Sequence, residues 1–410
     1  MPYPRAFRAL RHAEFRVVWG TFVVGQLGFW ISFVSFQALM ARLTDTDGAW
    51  LGLLFFTNFI PTLVFTPFAG VVADRVERRR ILMVGYSVLA VTVGTLAVLT
   101  LGDDVVPITL LPFAFVMGTV FAFNSPASQA VIAASVDRDD LASAISLNST
   151  AANLARVVGP ALAAPLLAVW NEGAAFAVYA VASVIVVGLL SRAQLSTYER
   201  EVGIHKLSAW LKSGVVHARE RPPAVTVLSI LAMSSLFAGA YLAVLPVVAT
   251  KVFDRSSSGF TVLAAMAGVG SVFGALLTGL RVNVPRLRSV GLLVAGFGAA
   301  MVAFSAAPSW PLALVLVVPV GTLYFSAMTS INTMLQHLAD DARRGRMLSL
   351  FQVGWAGLVP IGGLWLGVVA GAHGARIALG LAGAVTAIYA LAAITLRPAR
   401  QRAGAWETVL

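Results

Sequence analysis

Twelve long apolar runs, separated by short polar segments, dominate this chain of 410 residues. A bilayer core of about 30 Å is crossed by about 20 helical residues, so each run is long enough to span it. In lipid the backbone must satisfy its own hydrogen bonds, which leaves helices or a closed barrel. The runs lack the polar–apolar alternation of barrel strands, so we reject a barrel. They cover residues 14–42, 48–73, 80–101, 106–134, 141–169, 173–193, 223–250, 258–281, 287–307, 309–337, 346–371 and 375–396.

The composition agrees with an all-α membrane protein of twelve transmembrane helices. Hydrophobic residues make up 59% of the chain and charged residues only 11%, against about 25% charged residues in a soluble domain. The first run is too long for the core of a signal peptide and lacks a small-residue cleavage site. We therefore expect it to remain as the first transmembrane helix.

The distribution of the basic residues along the chain indicates its orientation in the membrane. Of the 29 Lys and Arg residues, 24 fall in one set of alternate polar segments and four in the other, while Arg156 lies inside a run. Cytoplasmic segments of membrane proteins carry such an excess. The pattern predicts a multi-pass protein of the bacterial inner (cytoplasmic) membrane with both termini in the cytoplasm. The net charge of +11 therefore does not indicate a nucleic-acid partner.

One long hydrophilic segment divides the chain into two halves of six runs. We predict an N-terminal bundle at 1–193, a cytoplasmic linker at 194–222, and a C-terminal bundle with its tail at 223–410. Within the linker, apolar residues at helical spacing predict an amphipathic helix on the membrane surface, namely Leu207, Trp210, Leu211 and Val215. The halves are weakly similar: an offset of 203 aligns Asp137 with Asp340 and Gly159 with Gly362. Pseudo-symmetric bundles of this kind usually bind substrate at the interface between repeats.

The segment between the second and third runs reads G-V-V-A-D-R-V-E-R-R-R, from Gly70 to Arg80. A positively charged membrane anchor accounts for the arginines but leaves Asp74 unexplained. An acid near the C-terminal end of a helix faces the unfavourable pole of the helix dipole. Asp74 therefore needs a partner, such as Arg75 or the N-terminus of another helix. The candidate functional residues of this segment are Gly70, Asp74, Arg75 and Arg78.

Arg156 is the one charged side chain deep inside an apolar run. It lies about 15 residues into the fifth run, or roughly 20 Å along a helix, and no acid lies at a matching depth. On a helical wheel it shares a polar face with Asn148, Ser149 and Asn153. An intramembrane arginine is a functional candidate; the alternative is a structural arginine bonded to backbone groups. In the same run Gly159 and Pro160 indicate either a tolerated kink with close packing or a gating point.

Polar and aromatic side chains also share helix faces in four other runs. One interpretation is hydrogen bonding and packing between helices, which for Trp30 and Phe33 is the simpler explanation. The other is a substrate cavity, whose candidate residues in the fifth run are Asn148, Asn153 and Arg156. The remaining faces carry Gln26, Trp30, Phe33 and Gln37 in the first run, Asn124, Ser128 and Gln129 in the fourth, Ser234, Phe237 and Tyr241 in the seventh, and Thr322, Ser326, Thr329, Thr333 and Gln336 in the tenth.

The sequence lacks the residue types that metal binding, cofactor binding and enzymatic catalysis commonly require. The chain has no cysteine, its five histidines are scattered, and all 18 acids fall in polar segments or at the ends of runs. We therefore expect no metal site, no cofactor and no enzymatic activity. A nucleotide-binding G-x-x-x-x-G-K-[ST] motif is also absent, which argues against direct drive by ATP. Proton-driven transporters usually carry a carboxylate or histidine at mid-membrane depth, and this chain shows none.

The Gly70–Arg80 segment resembles the loop between helices 2 and 3 of the major facilitator superfamily, and the resemblance covers essentially the whole chain. It implies two six-helix bundles, with spans 1, 4, 7 and 10 lining the cavity. It also implies a gating role for the motif residues, namely Gly70, Asp74, Arg75, Arg78, Gly159 and Pro160. The Gly159–Pro160 pair resembles the helix 5 motif of exporters. N-S-P-A-S-Q and A-D-D-A-R-R-G-R-M-L-S-L resemble segments of bacterial enterobactin exporters and drug efflux members. The chain departs from the family pattern at Thr278, where the second half lacks the acid, and in a fourth run without arginine.

We therefore expect a secondary transporter that exports a small amphipathic or siderophore-like molecule by alternating access. Proton-coupled antiport is the expected mode, although the missing mid-membrane carboxylate argues against it. The expected partners are a small-molecule substrate, the lipid bilayer and protons, and the expected state is a monomer. An importer or uniporter of a small solute, or a lipid or lysolipid translocator, is the alternative. A membrane enzyme would need clustered His, Asp or Cys in the runs.

Overall fold

A computed structural model of the chain describes residues 5–192, 215–280, 284–340 and 343–396, all of its regular elements being helical. Within these residues, twelve helices are long and apolar enough to cross a membrane, which confirms the predicted fold class. Ten are continuous. They are α1 (Ala13–Leu43), α2 (Gly48–Arg75), α3 (Arg78–Leu101), α4 (Pro107–Ala134), α5 (Leu141–Val169), α6 (Glu172–Arg192), α8 (Ser257–Gly279), α9 (Leu287–Ser305), α10 (Trp310–Leu338) and α12 (Ala375–Leu396). Residues 207–214 of the predicted amphipathic helix lie outside the described part.

Two helices, α7 and α11, are interrupted. The helix α7 comprises Pro222–Phe237, a 3-10 turn at Tyr241–Val244, Leu245–Val247 and a π-helical turn at Val248–Val252. The helix α11 comprises Arg344–Gln352, a π-helical turn at Val353–Gly357 and Leu358–His373. The predicted continuous helix over 223–250 is corrected: Tyr241 lies beyond a break and does not continue the face of Ser234 and Phe237. Unwound turns in membrane helices are tolerated where the freed backbone groups find other partners.

Proline and glycine mark several helix ends. Proline stands in the first turn of α4 at Pro107 and of α7 at Pro222, where its missing N–H leaves no intrahelical bond unmade. Between α11 and α12, Gly374 has φ +87°, a conformation that side-chain-bearing residues rarely adopt. The sharp turn at Gly374 therefore separates two helices that the hydrophobic pattern alone nearly merges.

The chain forms two compact units. The first comprises Met1–Thr44 and Thr57–Gly203. In it α1 packs against α4, α5 and α6, and α3 packs against α4 and α6. Its buried core includes Phe15, Leu82, Leu147 and Leu190.

The second unit comprises Asp45–Phe56 and Ile204–Leu410. In it α9 packs against α12 as α3 packs against α6 in the first unit, and α8 packs against α10. Its buried core includes Ile230, Leu287, Met334 and Met347. The division of the sequence at 194–222 stays a prediction, because most of that linker lies outside the described residues.

Candidate substrate cavity

A cavity of about 240 Å³ lies inside the first unit. Helices α1, α3, α4, α5 and α6 all contribute to its wall, so it depends on the packing of the whole bundle. Four of the predicted cavity residues line it, namely Gln26, Asn124, Gln129 and Asn148. The other lining residues are Phe22, Gly25, Phe29, Tyr86, Leu89, Met117, Val120, Phe121, Ser125, Ser128, Ser149, Ala152 and Tyr179.

Two glycines of α1 make room for two tyrosines in the wall. A Cβ atom on Gly25 would collide with the hydroxyl of Tyr86, and one on Gly28 would collide with the ring of Tyr179. Residues three apart on a helix are neighbours on its surface, so both glycines open the same side of α1. The two rings, one from α3 and one from α6, therefore reach the backbone of α1 beside the cavity.

Two amide oxygens at this cavity lack a hydrogen-bond partner. The Oδ1 atoms of Asn124 and Asn148 are shielded from solvent, and neither has a hydrogen-bond partner among the described residues. Gly85 on α3 provides the space that the amide of Asn124 occupies. A buried unsatisfied polar group costs about 1–3 kcal/mol, so leaving these two oxygens without a partner lowers the stability of the fold. Both can accept hydrogen bonds from a bound molecule.

Aromatic rings form the apolar part of the wall. Phe29 of α1 stacks on Phe121 of α4, with ring centroids 5.1 Å apart and planes inclined by 28°. Both rings line the same cavity as Asn124 and Asn148. A cavity with amide oxygens on one part of its wall and stacked rings on another suits an amphipathic molecule.

Five predicted residues of the first unit lie outside that lining. Phe33 and Gln37 are buried in α1, with 3% and 1% of their surface exposed. Asn153 donates its amide N–H to the Ser149 carbonyl at 2.9 Å. The two remaining residues are Trp30 and Arg156, and they meet each other.

Trp30, Arg156 and Gly159 form one contact between α1 and α5. The guanidinium carbon of Arg156 lies 5.8 Å from the centroid of the Trp30 ring, within range of a cation–π interaction. Gly159, one turn further along α5, has no side chain and packs directly against Trp30. The close approach at Gly159 therefore places the Arg156 charge over an aromatic face.

In the second unit the predicted residue Tyr241 belongs to an aromatic cluster. Only 3% of its surface is exposed, and its ring lies 6.3 Å from that of Phe297 and 6.0 Å from that of Tyr324. The indole N–H of Trp355 donates to the Tyr324 hydroxyl at 2.8 Å. Tyr241 and Trp355 lie in the interrupting turns of α7 and α11, so the cluster joins the two breaks.

The predicted α10 residues Thr329, Thr333 and Gln336 are half-buried. The amide of Gln336 donates to the side-chain oxygen of Asn332, a neighbour that the sequence analysis did not single out. The assignment of these residues to a substrate site stays a prediction.

The predicted gating residues lie at helix ends and within α5. Arg75 is exposed at the end of α2, Arg78 is half-buried at the start of α3, and Gly159 and Pro160 are buried. Gly70 and Asp74 belong to α2, but the side chain of Asp74 and the surroundings of Gly70 lie outside what the structure describes. Their gating role stays a prediction.

Comparison with known proteins decides the family. A family model described as a transmembrane secretion effector matches residues 5–406. The chain belongs to this family of major facilitator transporters. The predicted resemblance to the superfamily is thereby confirmed, and the protein is a multi-pass membrane transporter.

Two named relatives of this transporter are a staphyloferrin A transporter and a multidrug efflux pump. The staphyloferrin A transporter of Staphylococcus aureus (strain NCTC 8325 / PS 47) is 25% identical over 366 residues, covering 85% of this chain and 87% of that protein. The multidrug efflux pump Tap of Mycolicibacterium fortuitum is 28% identical over 348 residues, covering 78% and 81%. The crystal structure of a D-xylose-proton symporter superposes with a TM-score of 0.70 over 93% of this chain and 97% of that one. Its identity of 15% shows a common fold alone.

The sequence analysis missed Tyr86 and Tyr179 of this transporter. It concentrated on spans 1, 4, 7 and 10, whereas these tyrosines lie on α3 and α6. A signal was present, because each is the one tyrosine of its helix. What the sequence does not show is that Gly25 and Gly28 face these rings.

Proposed function

We propose that this transporter exports a small amphipathic or siderophore-like molecule by alternating access. The observation that carries the proposal is the cavity in the first unit, where the amide oxygens of Asn124 and Asn148 lack partners beside the stacked rings of Phe29 and Phe121. Donor groups of a substrate would bond to the amides and its apolar part would contact the rings. The names of two relatives, a siderophore transporter and a multidrug efflux pump, support this class of substrate.

The membrane arrangement follows from the charge distribution. The excess of Lys and Arg in alternate segments supports an orientation with both termini in the cytoplasm of a bacterial cell. The inner membrane is then the site of action, and a monomer contains both bundles that alternating access requires. The Gly159–Pro160 pair in α5 supports export over import.

A proton gradient is the proposed driving force. The acids lie in polar segments or at the ends of spans, so a proton carrier of this chain would lie at a helix end or on the substrate itself. If the substrate carries the proton, the transport rate should change with pH around the pKa of the substrate. If the protein carries it, the transport rate should change with pH around the pKa of a protein side chain.

Everted membrane vesicles test direction and driving force together. Vesicles containing the transporter would be given a pH gradient, acidic inside, and the uptake of ethidium and of staphyloferrin A would be followed with and without an uncoupler. Accumulation of either probe that the uncoupler abolishes is the expected result. Uncoupler-insensitive equilibration would instead identify a uniporter, and accumulation in right-side-out vesicles would identify an importer.

One observation favours a second candidate, a lipid or lysolipid translocator. An apolar groove of about 590 Å³ runs along α3 and α4 and shares Val120 and Asn124 with the polar cavity. Val84 and Val88 of α3 face this groove and are 64% and 39% exposed. An acyl chain would fit the groove while a polar head occupied the cavity. Transfer of a labelled lysophospholipid between leaflets of proteoliposomes, absent from protein-free liposomes, would establish this activity.

A further inference from the structure

Two histidines hold equivalent positions in the two units. His12 lies just before α1 and His217 just before α7, so each precedes the first helix of its half. Each approaches a carboxylate from the segment before the fifth helix of that half. The carboxylate is Asp140 for His12 and Asp340 for His217. Each half therefore carries an ionic cluster between the segments before its first and fifth helices, with Asp140 and His217 buried and Asp137 and Asp340 exposed.

In the first unit the histidine lies between a carboxylate and a guanidinium group, since Arg11 Nε is 3.3 Å from His12 Nε2. His12 Nε2 lies 2.8 Å from Asp140 Oδ2, and Arg11 Nε lies 2.7 Å from the same oxygen. Arg11 also approaches Asp137 at 3.5 Å. Two carboxylates thus face one arginine and one histidine in this cluster.

In the second unit the histidine accepts hydrogen bonds from two arginines. His217 Nδ1 lies 2.8 Å from a guanidinium nitrogen of Arg221 and 2.9 Å from one of Arg343. Guanidinium groups only donate, so Nδ1 carries no proton and His217 is neutral with its proton on Nε2. None of the His217 surface is exposed. Its Nε2 has no hydrogen-bond partner in the described part of the chain and lies 3.9 Å from Asp340 Oδ2.

The charges around His217 already balance. The described groups that face it are Arg221 and Glu220 from its own segment, and Asp340 and Arg343 from the segment after α10. Arg221 also pairs with Asp340 at 2.7 Å, and Arg343 approaches Glu220 at 3.5 Å. Among the described groups two cations face two anions, so a third positive charge would have to share Glu220, whose Oε2 lies 3.7 Å from Nδ1, with Arg221 and Arg343.

Proton uptake would therefore break this cluster. A hydronium ion of the solvent would give up the proton: one of its O–H bonds breaks as the N–H bond at Nδ1 forms, and water is left. The imidazolium would then point a donor at two guanidinium groups and lose both hydrogen bonds. Burial, together with the charge of Arg221, already holds the pKa of His217 below its usual value. The neutral form stabilises the fold above the unfolded pKa of about 6.5, and this stabilisation is lost as pH falls below it.

We propose that His217 is a proton-binding site, and that one proton bound there releases the segment after α10 from the segment before α7. The proposal goes beyond export, since it needs neither a substrate nor a direction of transport. His217 would then be a titratable group at the end of a helix. At mid-membrane depth the sequence shows no carboxylate or histidine.

Hydrogen exchange of the full-length protein in lipid nanodiscs tests the proposal. The reporters are the amide of Arg343, which donates to the Asp340 carbonyl at 2.9 Å, and the amide of Arg221, which donates to the Ala218 carbonyl at 3.0 Å. After correction for intrinsic exchange, protection of both segments should fall below about pH 6.5. The fall should approach about tenfold per pH unit, the limit for one linked proton.

Three variants make the test specific. In His217→Asn the amide oxygen takes the place of Nδ1 and cannot be protonated, so protection should no longer depend on pH. Arg343→Gln removes one cation that lowers the pKa of His217, so the loss of protection should still begin near pH 6.5 but end at a higher pH and be smaller in total. This variant keeps the proposal testable if the first one folds poorly. His12→Gln retains a donor to Asp140 and should leave the transition in the second unit unchanged. An unaltered transition in both His217→Asn and Arg343→Gln would overturn the proposal. Because no substrate or gradient is used, failure of the export proposal would not affect this result.

Discussion

Alanine at Gly28 should destabilise the first unit, whereas alanine at Gly20 should not. Both glycines lie in α1. A Cβ on Gly28 would meet three atoms of the Tyr179 ring, while a Cβ on Gly20 would meet nothing within 4 Å. Tyr179 is 3% exposed, so its ring has little free space into which it can retreat. Gly25 is an intermediate case, because its Cβ would meet the hydroxyl end of Tyr86, the part of that side chain that swings most easily.

The size of the effect follows from two opposing contributions. Replacing glycine by alanine within a helix stabilises it by about 0.5–1 kcal/mol, and this gain is common to all three positions. Overpacking a filled site costs about 1–3 kcal/mol, and this cost applies fully only at Gly28. The Gly28→Ala and Gly20→Ala variants should therefore differ by the overpacking cost alone. With an unfolding entropy of about 2.1 cal/mol/K per residue over 410 residues, that difference amounts to roughly 1–3 °C in Tm.

Thermal unfolding of the purified variants in one detergent measures this difference. The expected order of Tm is Gly20→Ala highest, Gly25→Ala intermediate and Gly28→Ala lowest. The double variant Gly28→Ala with Tyr179→Leu should recover part of the loss, because the smaller side chain vacates the space that the new methyl group needs. Equal Tm values for Gly28→Ala and Gly20→Ala would refute the close contact between α1 and the Tyr179 ring.

Three further predictions concern single side chains. Asn124→Leu removes an amide whose oxygen has no partner among the described residues. The stability of the variant should stay equal or rise, while its binding of ethidium weakens at least several-fold. A stable variant with normal ethidium binding would contradict a substrate role for Asn124. Arg156→Lys should already weaken binding because lysine cannot make a planar bidentate contact, and Arg156→Ala should weaken it more; unstable variants that bind normally would show that the contact with Trp30 is structural. Asp74→Asn should shift the population towards the inward-facing state and slow transport, which distances between spin labels on the cytoplasmic ends of the two halves would report; an unchanged distribution with normal transport would contradict it.

The sequence alone was sufficient for the number and limits of most helices. Runs such as 80–101 and 375–396 match the helices α3 and α12 to within two residues. This precision has a physical origin, because lipid forces each apolar run to satisfy its own backbone hydrogen bonds. The breaks in α7 and α11 were not predicted, since the residues around Tyr241 and Trp355 are as apolar as those of a continuous helix.

The cavity could be predicted only in part. Gln26, Asn124, Gln129 and Asn148 are polar residues in apolar helices, a pattern that sequence alone reveals. Their convergence on one cavity depends on the packing of five helices, which a helical wheel drawn for one helix at a time does not contain.

The sequence by itself determined the twelve spans, the charge asymmetry between alternate segments and the polar residues that interrupt apolar faces, because each depends on neighbouring residues and on the membrane. Only the tertiary structure decided that Gly28 receives the ring of Tyr179 and that Arg343 donates to His217. These contacts join residues more than a hundred positions apart in the chain, and they form only when whole helices pack together.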